Sequence, residues 1–175
     1  MRSIHSLCTT TLCGVLLGAS LVPAHAESAR VHLGGQGGGA AATAVGHAGP
    51  QGGSVRRVRG VAADGQGHAG TAGAMAVQGP QGGSARRAGM TEVQSDGSAT
   101  HRSGFSATGA QGSTINSSGG ATRAADGTYT QQRNTSATNA ATGNSAQVNT
   151  QYSSQGGLDR QVSCYNASGA TIPCR

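Results

Sequence analysis

GPQGGSVRR at residues 49–57 returns as GPQGGSARR at residues 79–87, thirty residues later. A glycine-rich phrase joined to an arginine pair can be a catalytic loop, an anion cradle or punctuation between structural units. The spacing favours punctuation. Written in thirties from Gly49, residues 49–168 divide into four units without a gap. The units start at Gly49, Gly79, Gly109 and Asn139, and Gly169 opens a tail. Eighteen residues into each unit stand Gly67, Gly97, Gly127 and Gly157, a series that Gly37 continues backwards.

The residues in these columns are turn formers for physical reasons. Glycine reaches positive φ without a Cβ clash, and Asn is the side chain that best replaces it there. Asn139 in a glycine column therefore fits a reversal of the chain. Asp96-Gly97 and Asp126-Gly127 are hairpin signals. Pro50 and Pro80 sit one residue into their turns, where a fixed φ suits the second turn position.

Between turns lie arms of about nine to thirteen residues. Residues 127–135 and 147–152 carry Thr, Tyr and Val on a polar background, and Val148, Thr150 and Tyr152 share one face of an extended strand. No apolar stripe returns at helical spacing over three turns, and a short helix is expected only within residues 39–45. The expected fold is mostly β, a thin repetitive meander or solenoid-like array with two arms per thirty-residue unit. Disorder over residues 27–110 is the alternative. Residues 31–90 are rich in Gly, Ala and Arg, whereas residues 111–155 favour Ser, Thr, Asn and Gln. A basic tail attached to a polar β region is thus the rival to a single array.

Outside the array, residues 1–26 read as an export signal. Arg2 and His5 precede an eleven-residue apolar run, Leu12 to Val22, and Ala24-His25-Ala26 offers a small-x-small cleavage site. The run is short of the roughly 20 residues that a spanning helix needs, so no membrane span is expected after cleavage. Neither Cys8 nor Cys13 follows the small residues of a lipoprotein signal. Residues 27–48 read as a Gly/Ala-rich partial repeat or linker. Residues 169–175 form a tail completing a loop between Cys164 and Cys174, which an oxidising compartment would join.

Residues 27–175 contain fourteen Leu, Ile, Val and Phe, too few for a deep core. They also hold eleven arginines, no lysine and six acids. That balance favours loose attraction to acidic polymers or anionic surfaces. Arg56, Arg57 and Arg59 form one basic cluster, and Arg86 and Arg87 form its echo. Stacked units would join them into a strip offering bidentate guanidinium groups to phosphates or carboxylates, such as acidic polysaccharide or lipopolysaccharide. Units three and four place Asn116-Ser117 and Ala146-Gln147 in those columns, so the strip would stop there.

Other chemistries are poorly served. A mononucleotide loop needs a Lys that this chain lacks, and the glycines at 34–39 have no apolar strand before them. His32, His47, His68 and His101 form no close pair, and Asp96 and Asp126 offer one carboxylate per turn where a calcium loop supplies several. No G-x-S-x-G elbow occurs. Aromatic stacking partners for nucleic acid are scarce. No cofactor and no enzymatic activity are expected.

The Gly-Pro-Gln-Gly-Gly phrases, the Arg pairs and the later Asp-Gly turns, over roughly residues 43–135, resemble the Gly/Thr/Arg-rich tandem repeats of poorly characterised exported proteins of Gram-negative bacteria. Residues 109–155 faintly resemble curlin-type repeats through Gln111-Gly112, Asn116, Asn144, Gln147 and Asn149, but lack that family's regular spacing. The export signal, the thirty-residue rhythm and the sparse core together point to a periplasmic, cell-surface or extracellular repeat protein with a structural role, and the curlin likeness implies self-association.

Overall fold

The computed structural model describes residues 27–174 except Gln36. They form one antiparallel sheet of eleven strands. The first six are β1 (Glu27–Gly35), β2 (Gly38–Ala48), β3 (Ser54–Ala63), β4 (Ala69–Gln78), β5 (Ser84–Val93) and β6 (Ala99–Thr108). Then come β7 (Thr114–Arg123), β8 (Tyr129–Thr138), β9 (Ser145–Ser153), β10 (Gly157–Tyr165) and the two-residue β11 (Thr171–Ile172). Strand order in space is strand order in sequence, so the chain is a meander rather than a solenoid. The expected export signal lies outside the described residues.

The thirty-residue rhythm is a strand-and-turn unit used twice. A ten-residue strand and a five-residue turn fill each half, as β3, β4 and β5 show. In the GPQGG turn the Gly52 N–H donates to the Gly49 carbonyl at 3.1 Å, and the Gly49 N–H donates to the Gly53 carbonyl at 2.6 Å. This is a four-residue turn closed by a bulge, with Pro50 pre-set for its second place. The same pair of bonds closes residues 79–83 and 109–113.

The left-handed residues in these turns are not the ones that open the units. Positive φ falls at Gly52, Gly82, Gly112 and Gly143, and no described residue other than glycine has it. Gly49, Gly79, Gly109 and Asn139 stand at the first turn position, where the backbone is ordinary. Asn139 serves through its side chain instead, its Oδ1 accepting from the Ala141 and Thr142 N–H groups. At the opposite edge Gly67, Gly97 and Gly127 are left-handed, with φ of 94°, 82° and 88°.

The fourth unit is not gap-free. Its first turn runs from Asn139 to Asn144, one residue longer than its predecessors, and the next turn is short, joining Ser153 to Gly157. The two changes displace the later glycine columns. Gly157 opens β10 rather than closing a five-residue turn, and Gly169 is the left-handed residue of the Asn166–Ala170 turn, not a unit start.

Residues 39–45 belong to β2 and form no helix. Alanine favours helices in isolation, but here ladders on both sides pair every backbone group of the segment, and such pairing overrides a weak local preference. The ladder runs unbroken from β1, so the described residues of 27–110 are strands and turns of the same sheet, and no separate basic tail exists among them.

Among the described residues the sheet has no second layer: substantial contacts join only neighbouring strands. Among the described residues Ala72, 8% exposed, is the one buried apolar side chain. Stability therefore comes from the backbone ladder and from cross-strand side-chain pairs. Cys164 and Cys174 are joined by a disulfide with Cα atoms 5.4 Å apart, which ties the last segment against β10.

Candidate functional site

A strand sends successive side chains to opposite faces, and directly paired residues share a face. Ten ladders in register therefore assign every strand residue to one of two surfaces. The assignment agrees with side-chain contacts. Arg133 on β8 bonds Ser117 on β7 and Ser103 on β6 at 3.0 and 2.9 Å, all from one surface. Tyr129 and Tyr152, ring centroids 6.0 Å apart, belong to the same surface.

The five arginines expected to form a strip do not share a face. Arg57, Arg59 and Arg87 lie on one surface, whereas Arg56 and Arg86 lie on the other, the latter bonded to Ser106 at 2.8 Å. Consecutive arginines in an extended strand must part company. An open trough of about 810 Å³ across mid-sheet touches Arg56, Arg57, Arg86 and Arg87. A trough belongs to one surface, so only one of the two pairs can project its side chains into it.

Sorting the described arginines reveals an asymmetry that repeat columns conceal. With Arg57, Arg59 and Arg87 stand Arg30, Arg123, Arg133 and Arg160. No described Asp or Glu of any strand shares this surface. The other carries Arg56, Arg86 and Arg102, balanced in part by Glu92 and Asp159. Asp64, Asp96 and Asp126 lie in turns at one edge.

The larger apolar side chains sort the same way. Val45, Val55, Val61, Met75 and Val77 lie on the arginine-rich surface at the N-terminal end. Val93, Phe105 and Ile115 continue it, followed by Tyr129, Val148 and Tyr152, then Leu158, Val162 and Ile172. Of the nineteen Leu, Ile, Val, Phe, Met and Tyr residues in the described chain, these are fourteen. Only Val31, Leu33, Val58, Met90 and Tyr165 fall on the opposite surface, which is otherwise Ala and Gly in β2–β4 and Asn, Gln, Ser and Thr in β7–β9. The basic face is thus also the apolar face. Much of it is bare, with Leu158 69% exposed.

His32, His47 and His101 also lie on the basic face but on β1, β2 and β6, well apart. His68 pairs with Asp64 in a turn, Nδ1 to Oδ2 at 3.3 Å. No group of three metal-ligating side chains forms among the described residues. Each turn carboxylate is occupied by its own turn: Asp96 Oδ1 accepts from the Ser98 N–H and Asp126 Oδ1 from the Thr128 N–H, both at 2.8 Å.

Sequence reading missed Arg30, Arg123, Arg133 and Arg160 because they recur at no repeat column. The parity of each position, counted from the nearest turn, would have found them. Comparison with known protein families, curated proteins and solved structures returns no match.

Proposed function

We propose that the chain is an exported, non-enzymatic structural protein that works in the periplasm or at the cell surface by presenting a broad sheet. The observation that carries this reading is the basic and apolar face of a repeat-built sheet that has no second layer among the described residues. A sheet so built concentrates its chemistry on a surface rather than in a cleft. Its side chains are arranged for area contact, with charge and apolar groups spread over many strands. The amino-terminal sequence supports export, and the disulfide suits an oxidising compartment.

The test is expression of the full chain in a Gram-negative host with fractionation and amino-terminal sequencing. A mature chain starting at Glu27 in the periplasmic, surface or extracellular fraction is expected. An uncleaved chain held in the cytoplasm would overturn the reading.

A self-assembling matrix protein is the second reading, favoured by the sheet's edges. Among the described residues β1 is an open edge, and β11 covers only Cys164 and Tyr165 of β10. Unpaired strand edges are templates for further pairing. Concentration-dependent fibres with strand spacing along their axis would favour this reading, and a monomer at all concentrations would exclude it.

A further inference from the structure

We propose that the basic face docks flat on an anionic lipid surface. The inference rests on the surface-associated reading above and adds the partner and the face. Three observations select this occupant.

The first is charge. Seven arginines face one way with no described strand carboxylate among them. A second copy packed through the same face would bring two such arrays together without counter-charge. Packing against the other face of a second copy meets arginines again alongside Glu92 and Asp159. Self-packing has no electrostatic match.

The second is the apolar content of that same face. A hydrophilic polyanion would engage the arginines and leave Val55, Phe105, Tyr152 and Leu158 in water. An anionic lipid surface meets both groups: headgroup phosphates accept guanidinium bonds, and the apolar side chains enter the headgroup–acyl boundary. Arginine accommodates this geometry by laying its apolar stem among its neighbours while its charged end stays at the interface.

The third is the placement of charge along the strands. Arg30, Arg59, Arg133 and Arg160 occupy one cross-strand row near mid-strand. A sheet inserted across a bilayer would carry this row to the middle of the hydrocarbon, where arginine is most costly. A sheet lying flat keeps every row at headgroup depth. At about 4.8 Å between strands and 3.4 Å per residue, the face covers roughly 1,500 Å², ample for stable docking.

Every described strand of the ladder falls within residues 27–172, and residues 27–175 are the chain expected after signal cleavage, so they serve for the test. They are co-sedimented with vesicles of phosphatidylcholine alone and with vesicles containing phosphatidylglycerol, and retention on heparin is measured in parallel. The triple variant R57Q/R59Q/R87Q is compared with R56Q/R86Q/R102Q, which removes equal charge from the opposite face. Binding only to the anionic vesicles is expected. It should fall on the order of 100-fold in the first triple variant and far less in the second. R57K/R59K/R87K should retain binding, and F105S/L158S should weaken vesicle binding while leaving heparin retention unchanged.

Equal losses from the two glutamine triples would overturn the proposal. So would heparin retention without vesicle binding, which would identify a soluble polyanion, or a dimer abolished by F105S/L158S, which would identify a second copy. An exported chain that ignores anionic vesicles fails this inference alone. Vesicle binding by a chain that is never exported supports the inference and fails the reading beneath it.

Discussion

Arg133 donates to the hydroxyl of Ser103, its counterpart one repeat earlier, across 2.9 Å and an intervening strand. It also donates to Ser117 on that strand, whose hydroxyl lies 2.9 Å from that of Thr135. A guanidinium can bridge three strands because its fork spans the ladder spacing. Repeat identity is thus converted into a cross-repeat bond, in the region where the sheet has no core to hold it.

That bridge should be measurable. Ser103→Ala is expected to cost about 1 kcal/mol and Arg133→Ala more, since the latter also loses Ser117. A double-mutant cycle in urea should give a coupling of about 1 kcal/mol between the two positions. Additive effects would show that the bond contributes nothing to stability.

The turns predict a contrast between two glycine columns. Gly97 has φ of 82°, so a Cβ there strains the backbone even though open space surrounds it. Gly109 has ordinary φ, and a Cβ would lie 3.6 Å from the Ser113 carbonyl oxygen, a normal contact. Gly97→Ala should destabilise by about 1–2 kcal/mol, whereas Gly109→Ala should be near neutral or slightly stabilising. Equal costs in urea titrations would contradict the turn geometry.

The glycine rhythm made the turns and the two strands of each thirty-residue unit legible, because turns need special backbone angles and leave special residues behind; it gave no strands for residues 27–48, where β1 and β2 lie. It did not reveal which glycine of each turn is left-handed, since GPQGG offers three glycines and only hydrogen bonding selects Gly52. It also obscured the small length changes around Asn139 and Gly157, which cancel in the numbering for part of the unit. The basic face was the largest omission. Reading Arg56 and Arg57 as one cluster tracks the chain, whereas the pleat separates neighbours and joins residues such as Arg59 and Arg160 from distant strands.

Reduction of Cys164–Cys174 should loosen one end of the sheet and leave the middle intact. The bond closes a segment with sequence separation 10, and β11 pairs only through Cys164↔Ile172 and Tyr165↔Thr171. In a repeat array contacts are local, so the effect should remain local. Amide exchange at residues 164–172 should accelerate on reduction or in C164S/C174S, while β5–β8 keep their protection. Faster exchange across the whole sheet would show that the clasp is required for global order.

Acid should weaken the edge that carries Asp64, Asp96 and Asp126. All three carboxyls are held below their ordinary value of 3.8. For Asp64 the leading cause is the Gln66 N–H, for Asp96 the Ser98 hydroxyl, and for Asp126 the Thr128 N–H; partial desolvation opposes each without prevailing. The folded chain therefore favours the ionised form more than the unfolded chain does. This contribution is fully present above the ordinary carboxylate value and is lost as pH falls through the lowered folded values. Asn can keep the acceptor oxygen, as Asn166 does in bonding the Ser168 and Ala170 N–H groups, but it cannot titrate. The variant D64N/D96N/D126N should retain its strand content and lose less stability than wild type between pH 5 and pH 2, read as the urea midpoint at each pH. Parallel curves for the two proteins would mean that these carboxylates do not couple folding to protons.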